Sequence, residues 1–376
     1  MEIYERHRRV WRGLYPLLRP WICGKFGMEH EDLHISGPFL LVSNHVTAWD
    51  PLLVAMSLPE NQMYYVASEH LFRLGFVTKL LEYLVAPIPR RKGTTGSDTA
   101  KACLRHLKAG RSVGLFAEGE QCWDGKTCPV FPATGKLARL SGASLVTYRL
   151  EGGYLSKPRW GKGVRKGRVL GHPVHVYSPE QLKAMTPAQI DAAIQRDISE
   201  DAWERQRKDP VQYHGRTPAE GMERALFLCP GCGRIGTLKT KKDRVFCDCG
   251  LDLRYTDTGF FSPDSPFEDL AQWDAWQHAK LRERDFPHKE RLFADDHMLL
   301  TRVAQGHREE VMGRGALEQY EDRLVCAGHD FPIAEIGNMA VVVTNRLVFS
   351  FRDEYWQIKA EKGGNLRKYL AIWKER

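Results

Sequence analysis

Nowhere in this sequence do 18 apolar residues follow one another, so no segment is built to cross a bilayer as a helix. There is no internal repeat and no low-complexity tract, which excludes solenoids and disordered tethers. A disulfide framework is not expected either: the nine cysteines are odd in number, and four of them cluster between Cys229 and Cys249. The N-terminal residues do not read as a signal peptide, because the first nine are densely charged and the apolar residues after them are interrupted by Arg12, Pro16, Arg19 and Pro20. A cytoplasmic location follows as the expectation. What remains is globular composition, 43% hydrophobic and 27% charged, spread over 376 residues, too many for one ordinary core. Two or three domains are expected.

The net charge of +8 is localised in residues 6–25, 90–111 and 157–168. A basic face implies an anionic partner, whether lipid head groups, phosphate substrates or nucleic acid, although a solvated surface explains any one cluster as well. In residues 10–26 the apolar side chains recur at helical spacing among arginines, with Trp11, Tyr15 and Trp21 included. That suits a helix lying in a membrane interface, and equally a kinked helix packed on its own domain.

Strand-like runs at residues 39–42, 62–67, 112–116, 144–150 and 169–177 alternate with helical patterns at 51–58, 69–84, 97–107 and 134–141. This order predicts an α/β domain, a mixed and largely parallel sheet with helices on both faces. Thr186 opens a capping box and a helix to about residue 207. Residues 209–221, with Pro210, Gly215 and Pro218, read as a linker. Cys229-Pro-Gly-Cys232 and Cys247-Asp-Cys249 then flank a short basic hairpin, and four thiolates so spaced predict a structural zinc ribbon. Four cysteine ligands leave no open coordination position for a substrate. After a helix at 266–284 the pattern turns β-rich, with strands at 291–303, 324–327, 339–344, 347–351 and 355–360 and a closing helix at 365–374, an order resembling the pleckstrin-homology type. The expected organisation is an amphipathic interface region (1–30), a first domain (31–208), a linker (209–224), a zinc ribbon (225–258) and a β-rich domain with a C-terminal helix (259–376).

Three segments carry chemistry. Asn44-His45 and Asp50, with four residues between the histidine and the aspartate, follow the first long strand; Pro87-Ile88-Pro89-Arg90-Arg91 follows a second element; Phe116-Ala117-Glu118-Gly119 follows a third. A histidine beside a carboxylate can take a proton from an alcohol, and an aspartate just before Pro51 can equally be a helix cap. In combination the three segments resemble the glycerolipid acyltransferases, specifically the 1-acyl-glycerol-3-phosphate acyltransferase type, over residues 10–205. The resemblance implies transfer of a fatty acyl group from acyl-CoA or acyl carrier protein to a lysophospholipid hydroxyl at a membrane surface, in phospholipid biosynthesis. It implies peripheral attachment to the inner face of the membrane and no catalytic cofactor. His45 and Asp50 are then the catalytic pair, and Arg90, Arg91, Glu118 and Gly119 bind the acceptor. Ala117, Glu120 and Gln121 depart from the family pattern, and Gln121 stands where a phosphate-binding arginine is usual. A different lysolipid or glycolipid acceptor is therefore an alternative, or a cation from Lys126, Lys136 or residues 157–168 compensates. A further alternative is a non-enzymatic protein whose basic ribbon hairpin, with Lys239, Lys241, Lys242 and Arg244, binds nucleic acid; that partner is not expected, since aromatic interleaving is sparse.

Overall fold

The computed structural model describes residues 3–73, 76–90, 96–287, 289–303 and 309–375. The chain begins with α1 (Ile3–Phe26), β1 (Met28–His30), β2 (Phe39–Ser43), α2 (Asp50–Ala55), β3 (Met63–Ser68), α3 (Phe76–Leu84) and β4 (Ile88–Arg90). It continues through α4 (Ser97–Lys108), β5 (Ser112–Phe116), α5 (Thr134–Ser141), β6 (Ser144–Glu151), α6 (Gly153–Ser156), β7 (Val169–Tyr177), α7 (Pro179–Ala184), α8 (Pro187–Ile198) and α9 (Ala202–Lys208). The seven strands form one sheet in the order β1-β7-β6-β2-β5-β3-β4. From β6 to β4 the strands run parallel, whereas β7 is antiparallel to β6. Alternation along β2 explains why both faces are covered: Phe39 and Leu41 enter the core under α1 and α2, while Leu40 and Val42 enter a second core with Cys103, Leu107, Ala138 and Ile190 from α4, α5 and α8. Ser43 at the end of β2 lies beside Phe116 of β5 and Tyr148 of β6. The loops after β2 and β5 thus leave the same edge side by side, where open parallel sheets place their sites.

α1 runs unbroken through Pro16 and Pro20, so the helical spacing of residues 10–26 is matched by a helix that begins earlier, at Ile3. Tertiary bonds hold it down: Trp11 Nε1 donates to Leu58 O at 3.1 Å and Tyr15 Oη to Met56 O at 2.8 Å. Its outer face leaves Leu14, Leu17 and Trp21 exposed. Among the described residues no helix is long and apolar enough to cross a membrane. The single helix expected over 69–84 is instead a short 3-10 turn, Glu69–Arg73, and α3, with residues 74 and 75 outside the described set. The helix expected from Thr186 to about 207 also divides, because the Asp201 carboxylate caps a new one by accepting the N–H groups of Trp203 and Glu204.

The second half comprises β8 (Lys239–Lys241), β9 (Arg244–Phe246), β10 (Asp252–Arg254), α10 (Leu270–Arg282), β11 (Phe293–Val303), β12 (Glu309–Gln319), β13 (Arg323–Cys326), β14 (His329–Pro332), β15 (Ile336–Val342), β16 (Arg346–Phe351), β17 (Glu354–Ala360) and α11 (Arg367–Glu375). β8 to β10 make a small ribbon, and β11 to β17 a seven-stranded antiparallel sheet ordered β14-β13-β12-β11-β17-β16-β15. β12 and β14 were not anticipated. One hydrophobic core runs from Trp11 in α1 through Trp160, Trp203 and Tyr255 to Tyr369 in α11. The segment read as a linker is packed into that core: Tyr213 is buried, accepts from Arg205 at 3.0 Å and donates to Arg168 O at 2.9 Å. Residues 157–168 do not form an open basic face. Arg159 and Arg165 are buried against carbonyl oxygens of neighbouring segments, and Lys162 and Arg168 pair with Glu220 and Asp209.

Candidate active site

His45 sits in the loop after β2, stacked on Phe116 with ring centroids 4.5 Å apart. Its Nδ1 lies 2.7 Å from Asp50 Oδ2. A carboxylate can only accept, so Nδ1 carries the proton, and the neutral form of the ring has its lone pair on Nε2. Asp50 is wholly buried, and the same carboxylate accepts the N–H groups of Val46 at 2.7 Å and Thr47 at 3.0 Å. Burial pushes its carboxyl above the usual aspartate range, and the bonds from His45, Thr47 and Val46 oppose that rise. The alternative role as a helix cap does not hold. The cap position of α2 falls on Trp49 with no side-chain bond, while Asp50 reaches back into the loop. Asn44, to which sequence reasoning gave no role, donates to Leu150 O and accepts Leu150 N–H, each at 2.8 Å. Its amide extends the β2–β6 ladder by one side chain and fixes where the His45 loop leaves the sheet.

Glu118 is buried at the end of β5, with Oε1 accepting the N–H of His45 and Oε2 that of Cys128, both at 2.5 Å. Burial pushes its carboxyl up to about 8 against the pull of these two donors. The other end of the His45 peptide is held too, its carbonyl accepting Cys122 N–H at 3.0 Å. The loop of residues 118–122 therefore grips the histidine from both sides. Gly119 has φ +71°, a conformation that favours glycine, and a Cβ there would meet nothing within 4 Å, so its backbone faces open space. Arg90 ends β4 with its guanidinium 5.8 Å from the Phe131 ring, and Phe131 N–H bonds Ala117 O at 2.7 Å. Arg90 thus reaches the loop system that carries Glu118. Arg91 lies outside the described residues.

The acyltransferase family profile matches residues 27–151, the segment holding His45, Asp50, Arg90 and Glu118. Residues 27–151 are an acyltransferase domain. A chloroplastic 1-acyl-sn-glycerol-3-phosphate acyltransferase of Brassica napus is 24% identical over 173 residues, covering 43% of this chain and 48% of the relative. The chain thus spans about half the length of the curated relative it matches. The crystal structure of the 1-acyl-sn-glycerophosphate (LPA) acyltransferase of Thermotoga maritima aligns over 50% of this chain and 76% of that one, at 16% identity and a TM-score of 0.41.

Lys126 is 3.0 Å from Asp201, and Arg159, which follows the matched segment, is buried under the loop that carries Gln121. Lys136 lies exposed near the start of α5. Beyond the domain, the sulfurs of Cys229, Cys232, Cys247 and Cys249 all fall within 4.8 Å of one another, with Cys229 to Cys249 at 3.7 Å and Cys232 to Cys247 at 3.9 Å. Four sulfurs about 2.3 Å from a central ion in a tetrahedron stand at about these mutual separations, so the donor set fits a thiophilic divalent metal. The hairpin beside it is less basic than its sequence: Lys239 pairs with Asp248 at 2.8 Å and Arg244 with Asp252 at 2.6 Å.

Proposed function

We propose that the protein transfers a fatty acyl group from a thioester, acyl-CoA or acyl carrier protein, to a hydroxyl of a lysophospholipid, with 1-acyl-glycerol-3-phosphate as the acceptor. The observation that carries this reading is the His45 to Asp50 contact of 2.7 Å inside an acyltransferase domain. His45 Nε2 takes the acceptor's proton as its oxygen attacks the thioester carbonyl. The tetrahedral adduct then collapses, the C–S bond breaks, and the thiolate leaves with the proton that His45 returns. Asp50 keeps the imidazole in the right tautomer and stabilises its cationic form. Arg90 offers a guanidinium fork for the acceptor phosphate, with Arg91 following it in sequence, and Gly119 lets the acceptor approach the backbone. Glu118, whose two oxygens already serve backbone N–H groups, positions His45.

The exposed Leu14, Leu17 and Trp21 on α1 support docking on a membrane surface, with Lys25 Nζ 5.0 Å from the Trp21 ring to meet anionic head groups. Zinc is the metal proposed for Cys229, Cys232, Cys247 and Cys249, where it would cross-link the ribbon without taking part in chemistry. Gln121 favours a second reading, an acceptor with another head group. Purified protein given one labelled acyl-CoA and a panel of acceptors decides between them. Transfer to lysophosphatidate that is lost in His45→Ala supports the first reading, and transfer to neutral lysolipids alone overturns it. Salt-sensitive nucleic-acid binding with no acyl transfer to any acceptor overturns both.

A further inference from the structure

We propose that the C-terminal domain completes the active site by holding the loop of residues 118–123, with Arg159 as the positioning residue at the joint. The inference rests on the acyl-transfer reading insofar as that loop grips His45. Arg159 is 4% exposed, and its guanidinium meets both sides of a seam. On one side Nη1 donates to Gln121 O at 2.7 Å, with Glu120 Oε2 at 3.5 Å, and the guanidinium lies 3.8 Å from the centre of the Trp123 ring. On the other side Nη2 donates to Val341 O at 3.1 Å, near the end of β15, and to Val343 O at 3.2 Å, in the turn between β15 and β16. Helix α11 adds two cations to the same loop: Arg367 stands 5.0 Å from the Trp123 ring and Lys374 Nζ 3.5 Å from Glu120.

Apolar contact would join two domains at less cost than a buried guanidinium, whose desolvation pulls Arg159 down to about 10. What arginine adds is direction, because one planar fork reads the carbonyls of the loop and of the turn together. The turn itself is strained: Val343 is β-branched, 55% exposed, and held at φ +57°. Backbone strain of this kind persists where the surroundings over-determine it, and here the surroundings include Arg159. From the joint the path to the chemistry is short. Gln121 and Trp123 flank Cys122, whose N–H holds the His45 carbonyl at 3.0 Å.

The experiment compares full-length wild type with Arg159→Met, Arg159→Lys and Lys374→Gln by hydrogen exchange and steady-state kinetics. In Arg159→Met we expect amides 120–123 to exchange about tenfold faster or more, and kcat to fall about 10- to 100-fold as His45 loses its alignment. Donor KM should change little. Lysine keeps the charge but cannot span both carbonyl sets, so Arg159→Lys should resemble Arg159→Met. Lys374 is half exposed and its loss should spare the fold, giving smaller changes of the same sign. Should the Arg159 variants not fold, Lys374→Gln decides. Unchanged exchange at 120–123, or faster exchange with unchanged kcat, overturns the proposal. If wild type transfers no acyl group to any acceptor, the acyl-transfer reading is what fails, and loop exchange alone then reports whether the joint exists.

Discussion

Three N–H groups converge on the Asp50 carboxylate, those of His45 Nδ1, Val46 and Thr47. An amide offers one acceptor oxygen instead of two, so Asp50→Asn leaves a buried donor unpaired, at a cost of about 1–3 kcal/mol of stability. It also presents an N–H where His45 now donates, which favours the wrong tautomer. We expect kcat to fall about 10²- to 10⁴-fold, and thiol release from the acyl donor measures it. A wild-type kcat in Asp50→Asn, with His45→Ala inert, removes the aspartate from the mechanism. Glu118 gives a second expectation at this scale. Its carboxyl rises from an ordinary 4.5 to about 8 in the fold, so the folded state prefers the protonated form. The contribution is full below pH 4.5 and is lost as the pH climbs towards 8. Glu118→Gln cannot titrate there, so denaturant unfolding should show wild type losing stability relative to the variant between pH 5 and pH 8. A difference that moves the other way contradicts the assignment.

Among the described elements, α1 leaves an apolar face exposed through Leu14, Leu17 and Trp21. Trp21 contacts Trp49, a residue of the His45 to Asp50 loop, at 5.8 Å between ring centres, and Lys25 Nζ lies 4.6 Å from the Trp49 ring. A membrane against Leu14, Leu17 and Trp21 would therefore lie beside the loop that holds His45. Each large apolar side chain buried contributes about 1.5–3 kcal/mol, so Leu17→Glu or Trp21→Ala should weaken sedimentation with anionic vesicles about tenfold or more. Unchanged partitioning argues against this face. The strands that frame the site were legible because β2, β5 and β6 are short apolar runs ending in loop chemistry. β12 was not. Its Glu309-Glu310-Val311-Met312-Gly313-Arg314-Gly315 start lacks alternation, and its glycines answer to a distant segment: a Cβ on Gly313 or Gly315 would come within 2.9 or 3.3 Å of Ala327. That Glu118 braces the His45 peptide was not readable, since its partner is a backbone N–H 73 positions earlier that no side-chain pattern reports.

At the scale of the whole molecule, metal removal probes how far one core extends. Cys229, Leu238, Val245, Cys247 and Leu253 of the ribbon belong to the same buried cluster as Trp160 and Trp203 of the seam and Tyr369 of α11. A structural zinc supplies on the order of 10 kcal/mol of folding energy to a small site, far more than the short strands β8 to β10 can replace. If the ribbon unfolds without its metal, the seam loses part of its packing, and the loosening passes by way of Arg159 and Arg367 to the loop beside His45. Chelation, or Cys249→Ser, should therefore lower the melting temperature of the entire chain, on the order of 10 °C, in a single calorimetric transition. Acyl transfer should decline in parallel, although the cysteines lie outside the acyltransferase domain. Two separate transitions, with activity retained after the first, would mean that the domains are merely adjacent and that the shared core does not couple them.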